Sequence, residues 1–460
     1  MLAFLAFLAA QATLIVRPAD VFEALAGLQL FLPCIVAAMV FALPNLIYQL
    51  KPRQLFRQPI SLCVLSLIGC VAISHLQWGL LGFAFHSTVM FAKSAGYYFV
   101  LMAVLTTPRR MKLFLIVTAI SATIMVSLSI RDFRAFNDEW LGRSDLIFEH
   151  EQDQRRPEGE RVIRHVLERH GVTAEGDPVI FFRMRGFGVF SDPNDIALLI
   201  VSSFILLLYF TSEPDTKGFW PVWVGMIGVL LYGLWLTQSR GGLLAAGGAG
   251  LVFLLMKYGQ QVATVIGLAG AGIAPLALGR LGAISLSSGT GQDRIQLWAE
   301  GLDHMKGLPV LLGIGQGQYS DITSSGLVAH NSYVHAFVEL GLVGGTFFAG
   351  MLFFATFGFY RLRSVKHEIT DRTVFTLLPV VAAITAGWAV GMGSLSRCYT
   401  PATYLVFGVA ASYLNLAGVC LRPPRPVVRL NRYTLTRWAT FSVVLLILAY
   451  AFIRIFARFE

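Results

Sequence analysis

Apolar stretches recur along the whole of this 460-residue chain, and most are close to the roughly 20 residues that carry a helix across a hydrocarbon core about 30 Å thick. Inside a bilayer the backbone has to satisfy its own hydrogen bonds, which leaves only helices and closed barrels. These stretches are continuously apolar rather than alternating, so they read as helices. The spans fall near 2–16, 25–47, 59–77, 88–106, 111–130, 192–211, 219–237, 241–257, 260–279, 333–360, 374–394, 401–421 and 438–455. The first is short, and the last is read as either a span or an interfacial helix. With 56% hydrophobic and only 13% charged residues, a soluble globular chain is excluded. The expected fold is all-α, a transmembrane bundle of about 12–13 helices, with residues 1–460 forming one membrane domain that carries two larger outer loops, 131–190 and 280–332.

Orientation follows from the positive residues of the short loops, which stay on the cytoplasmic side. Lys51, Arg53 and Arg57, then Arg109, Arg110 and Lys112, then Arg361, Arg363, Lys366 and Arg372, and finally Arg422, Arg425, Arg429, Arg432 and Arg437 all follow even-numbered spans. The amino terminus is therefore expected inside, and both long loops on the outer face. The net charge of +10 is this topology signal and not a nucleic-acid footprint. No cleavage site of the signal-peptide kind follows residues 2–16, so that segment is expected to be retained. The five cysteines sit in or beside apolar spans, where small hydrophobes are expected and a disulfide framework is not.

Within the first loop, EGERVIRHVLERHG predicts a short amphipathic helix capped by Gly171, lying on the membrane or in solvent. GIGQGQ at 313–318 has dinucleotide-loop glycines without the βαβ context that such a loop requires. His330 and His335 are five apart, off the spacing of a helical zinc pair, and no metal is expected in the chemistry.

The polar residues with chemical potential gather at helix ends on the outer face. FRMRGFGVFSDPNDIALL opens the sixth span: Asp192 reads as an N-cap and Pro193 as a first helical residue, while Arg183 and Arg185, beside Asn194, form with the helix amino terminus a candidate anion site. Arg240 in TQSRGG, Arg294 in DRIQLW and Arg397 in SLSRCYTP share that face, although each taken singly reads equally as a solvated or snorkelling side chain. His330 precedes Asn331 and Ser332, which read as a helix cap; imidazole is also the group best matched to taking a proton from a hydroxyl near neutral pH. Glu339 is an ionisable group within the membrane zone, expected to orient a site group or pair with an arginine.

In order, RGFGVFSDPN, TQSRGG, RIQLW with GLPVLLGIGQGQY, and AHNSYVHAFVELGLVGG resemble the O-antigen ligase and polymerase superfamily of bacterial envelope enzymes. The resemblance covers about residues 180–350 by motif and the whole chain by topology. It implies a GT-C-like membrane glycosyltransferase of the inner membrane with its site facing the periplasm. The activity implied is transfer of a glycan from undecaprenyl diphosphate to a hydroxyl of lipid A-core, for a ligase, or of another lipid-linked glycan, for a polymerase. By resemblance His330 maps to the proposed general base. Arg185, Arg240 and Arg294 map to arginines that hold the diphosphate, with Arg183, Asn194, Asn331, Glu339 and Arg397 as further substrate-binding candidates. Neither a cofactor nor a metal is implied, and a single displacement would invert the anomeric centre. A secondary transporter and a non-catalytic component of an envelope assembly are the alternative readings; transporters show inverted repeats and broken helices near the midplane.

Overall fold

A computed structural model describes residues 1–140, 166–172, 178–278 and 290–457. Its long helices are α1 (Leu2–Val16), α2 (Phe31–Gln49), α3 (Pro59–Leu76), α4 (Leu81–Val104), α5 (Pro108–Trp140), α6 (Pro193–Ser212), α7 (Trp220–Thr237), α8 (Arg240–Tyr258), α9 (Gln260–Leu278), α10 (Thr290–Asp303), α11 (Ser332–Ser364), α12 (Arg372–Met392), α13 (Pro401–Cys420) and α14 (Arg432–Phe456). Among the described residues, twelve helices are long and apolar enough to cross a membrane. The chain is an all-α polytopic membrane protein.

Local chemistry sets where these helices begin. Proline stands in the first turn of α3, α6, α7 and α13, where its missing N–H costs no hydrogen bond. Asp192 caps α6 by accepting from Asn194 N–H at 2.7 Å, and Asp371 caps α12 by accepting from Val374 N–H at 2.9 Å. Asn431 and Thr434 exchange backbone and side-chain hydrogen bonds in a capping box that opens α14. That last segment is a 25-residue helix whose most apolar window has a mean hydropathy of 2.2, long and apolar enough to span.

Three expectations change. Helix α4 starts at Leu81, not near 88. Helix α5 runs to Trp140, past the hydrocarbon length, because Arg134 ties its polar end to Tyr232 through a 3.1 Å hydrogen bond and a cation–π contact at 5.1 Å. Within the expected amphipathic helix, residues 166–172 are instead a strand, β1 (Val166–Val172), paired antiparallel with β2 (Pro178–Arg183). The VIFF run of β2 is β-branched and aromatic, and pairing with it overrides the helical period. The rest of that expected helix lies outside the described residues.

Two compact units emerge from the internal packing. The first comprises residues 1–7, 33–113 and 244–460, and the second residues 8–32 and 114–243. In the first, α3 packs against α4 and α11, and α13 against α4 and α12. Glycines permit the close approaches: Gly408 faces Tyr98 and Leu101, and Gly350 faces Cys63 and Trp438. In the second, α6 and α7 form the main pair, and Gly233 lies against Val126 and Ile200.

Candidate active site

Helix α11 is broken nine residues in. Gly341 adopts φ 66° and ψ −171°, interrupting the helical ladder inside a buried stretch. The freed carbonyls are taken up by the glycine-rich loop: Ile314 N–H donates to Val338 O at 3.0 Å and Gly315 N–H to Glu339 O at 3.1 Å. Backbone lies on backbone here, so a Cβ on Gly313 would collide with Glu339 and one on Gly341 with Leu311 and Gly313. The GIGQG glycines thus dock a loop into a broken membrane helix. Each of Gly313, Gly315 and Gly317 has positive φ, which glycine adopts without penalty.

Glu339 is fully buried at this break. Its Oε1 accepts from Tyr319 N–H at 3.1 Å and stands 2.9 Å from His335 Nε2. The rings of Tyr319 and Tyr399 flank His335 at 5.1 and 5.9 Å. His75 at the end of α3 reaches Gln316 O at 3.0 Å, and Gln77 donates to Gly313 O. Burial pushes the Tyr319 phenol well above its ordinary range, and its hydroxyl donates to Leu297 O at 3.0 Å. Sequence reasoning missed His335, Tyr319, His75 and Gln77. The i, i+4 spacing of His335 and Glu339 was the one signal available locally.

His330 itself has φ 48°, the left-handed region that residues with a Cβ rarely occupy. Its neighbours are pinned on both sides. Trp298 Nε1 donates to Ala329 O, Asn331 caps α11 by accepting from Tyr333 and Val334 N–H at 3.0 and 3.2 Å, and Ser332 Oγ donates to Leu395 O. Arg397 N–H donates to that same Ser332 hydroxyl at 2.9 Å, bringing the Arg397 segment to the His330 turn. Arg294 is one turn before Trp298 on the same face of α10. His330, Asn331, Arg294 and Arg397 therefore belong to one neighbourhood in the first unit. Beside it is an apolar groove of about 350 Å³, lined by Trp298, Asn331, Val334, Phe337, Ala449 and Phe452 among others.

The second unit gathers the remaining candidates. Arg183 donates to Thr237 O at 2.9 Å and to Asn194 Oδ1 at 3.2 Å, and Ser239 Oγ donates to the same Asn194 oxygen at 2.6 Å. Met184 N–H donates to Leu236 O at 3.0 Å, stitching the Arg185 segment to the end of α7. Gln238 turns through φ 48°, and Arg240 is the first residue of α8. Burial lowers the Arg185 pKa, with Asp192 opposing and Arg183 adding to the shift. The Arg183 and Arg185 guanidinium groups thus stand at the amino terminus of α6 together with the Asp192 and Asp195 carboxylates.

In the first unit, left-handed His330 thus precedes a broken helix of membrane-spanning length and adjoins Asn331, which lines an apolar groove of about 350 Å³. Residues 225–349 match the O-antigen ligase family model. The match covers just over a quarter of the chain, and this similarity supports an O-antigen ligase or polymerase type of function on lipid-linked glycans in general. It contains Arg240, Arg294, His330, Asn331 and Glu339, and leaves Arg183, Arg185, Asn194 and Arg397 outside. No curated protein matches the chain.

Proposed function

We propose that this protein transfers an oligo- or polysaccharide from undecaprenyl diphosphate to an acceptor hydroxyl, of lipid A-core or of another lipid-linked glycan, at the periplasmic face of a bacterial inner membrane. The observation that carries this reading is His330: a strained, half-buried histidine, pinned between Trp298 and Ser332 contacts, next to Asn331 of an apolar groove of about 350 Å³. Strain of this kind collects where function over-determines the backbone.

The acceptor hydroxyl attacks the anomeric carbon while the His330 imidazole takes its proton. The bond from that carbon to the diphosphate oxygen breaks, and the lipid diphosphate leaves with the electron pair. Its negative charge is met by guanidinium groups, for which Arg185, Arg240 and Arg294 are the first candidates and Arg183 and Arg397 the next. Asn194 holds the Arg183 and Ser239 side chains, Asn331 caps the backbone that opens α11, and Glu339 holds the N–H of Tyr319. One displacement without a covalent intermediate inverts the sugar and needs no metal.

Orientation rests on the positive loops. With α9 counted as a thirteenth crossing, the Lys- and Arg-rich loops after α2, α4, α11 and α13 fall on one side, and the His330 and Arg185 turns on the other. The transporter reading gains a broken helix in α11, but the carbonyls of Val338 and Glu339 at that break accept from Ile314 and Gly315 N–H, which docks a loop there.

The test is the size profile of surface glycans in a deletion strain complemented with wild type or His330→Ala. Free long glycan with bare lipid A-core identifies a ligase, and loss of long chains with single units retained identifies a polymerase. Full restoration by His330→Ala overturns the proposal.

A further inference from the structure

The end of α3 far from its His75–Gln316 contact opens on a cavity of about 550 Å³. At 1.5 Å per residue the 18 residues of α3 put about 27 Å between the two places, close to the hydrocarbon thickness. The cavity therefore lies at the opposite membrane boundary from the GIGQG loop. It is a polar hollow in an apolar bundle: Asn45, Gln49, Gln58, Ser61 and Asn415 line it, with three arginines at its edge.

The charge in this hollow is unbalanced. Arg425 is neutralised by Glu368 at 2.6 Å. Arg57 and Arg429 make no side-chain hydrogen bond or ion pair among the described residues. A half-buried Arg57 beside Arg429 calls for an anion, and the planar guanidinium fork matches phosphate. The Gln49 Oε1 atom is buried without a hydrogen-bond partner, so it calls for a donor. Lipid reaches the rim, since Tyr48 is 54% and Val419 71% exposed on what is otherwise the bilayer-facing side of α2 and α13.

From these three demands we infer a binding site for the headgroup of an anionic, hydroxyl-bearing glycerophospholipid such as phosphatidylglycerol, in the leaflet opposite the His330 turn. The phosphodiester sits between Arg57 and Arg429, a headgroup hydroxyl donates to Gln49 Oε1, and the acyl chains run along the apolar surface beside Val419. Phosphatidylcholine brings no headgroup donor and a free anion brings no acyl chains, while a headgroup with its own cation leaves the two arginines unbalanced.

The purified full-length protein in detergent is assayed by thermal unfolding with added phosphatidylglycerol, phosphatidylcholine or inorganic phosphate, and by native mass spectrometry for retained lipid. Phosphatidylglycerol raises Tm by several degrees more than phosphatidylcholine, inorganic phosphate adds nothing comparable, and Arg57→Gln with Arg429→Gln removes most of the difference. Retention of phosphatidylglycerol over phosphatidylcholine by the wild type, expected at about tenfold, stands as a check even if the double variant fails to fold. Equal protection by phosphatidylcholine or by phosphate, equal retention of the two lipids, or an unchanged increment in a folded double variant overturns the assignment.

Discussion

His335 Nε2 lies 2.9 Å from Glu339 Oε1, one helical turn along α11, and the same oxygen receives the N–H of Tyr319 from the loop. One fully buried carboxylate therefore ties the first segment of the broken helix to the loop that fills the break. Replacing Glu339 with Leu leaves a buried imidazole and a buried N–H without their acceptor, at about 1–3 kcal/mol for each group. Glu339→Gln keeps an acceptor oxygen and is milder. Thermal unfolding of the two purified variants should rank them in that order; equal Tm values would remove Glu339 from this role.

Glycine substitutions separate backbone strain from open space. Gly313→Ala and Gly341→Ala meet both positive φ and neighbouring backbone, and each should cost more than about 3 kcal/mol. Gly317→Ala meets positive φ with nothing nearby and should cost only about 1–2 kcal/mol. Gly247→Ala, within α8 and in open space, should be neutral or slightly stabilising. Melting curves of the four give the ordering directly.

At His330 stability and activity should part company. His330→Gly relieves the left-handed strain and should raise stability by about 0.5–1 kcal/mol, while loss of the proton acceptor lowers glycan transfer by about 10²-fold or more. A variant that is more stable yet inactive fits a strained functional residue. One that keeps wild-type transfer in a complementation assay ends the general-base reading.

The two arginines before α6 should respond differently. Arg183 is bonded to Thr237 O and Asn194 Oδ1, so Arg183→Ala should lower Tm along with activity. Arg185→Ala should lower transfer by about 10-fold or more through weaker charge stabilisation, a loss larger than any change in Tm accounts for. Lysine at 185 should recover little if the guanidinium fork is what grips phosphate. Comparing melting temperature with transfer rate for these variants checks the division of labour.

Alkaline pH should loosen the loop. The Tyr319 phenol is held above its ordinary pKa of about 10 by burial. Above that value the unfolded chain loses the proton while the folded one keeps it, so stability present below pH 10 declines as pH rises further. Tyr319→Phe gives up the bond to Leu297 O and should flatten this alkaline decline in a Tm-against-pH series.

The spans were legible because membrane helices announce themselves over their own 20 residues, and the Asp192 and Asn331 caps because capping is local in sequence. The loop-filled break was not. Gly313 meets Glu339 and Gly341 through backbone packing across 26 to 28 positions, and nothing near either glycine encodes its partner. The β-hairpin failed for a related reason, since the helical period around Val166 was outweighed by pairing with a strand a dozen residues on. The arginines were legible as residue types at helix starts. That Arg183 is bound to Asn194 in the first turn of α6 and to the end of α7 required the fold.

Helix α14 is the outer wall of the groove beside Asn331, and it is nearly bare: only 11% of its most apolar window is buried, and Leu448 on the groove's edge is 63% exposed. A Trp438 hydrogen bond to Thr346 O at 3.0 Å holds it near its beginning and an exposed Arg454–Asp303 pair at 3.9 Å near its end, with apolar contact along the groove between them. For a molecule with a long hydrocarbon tail this reduces the search from three dimensions to two. In the proposed reaction the tail never has to leave the bilayer to arrive, and the sugar end of such a substrate would be delivered at the boundary that carries His330.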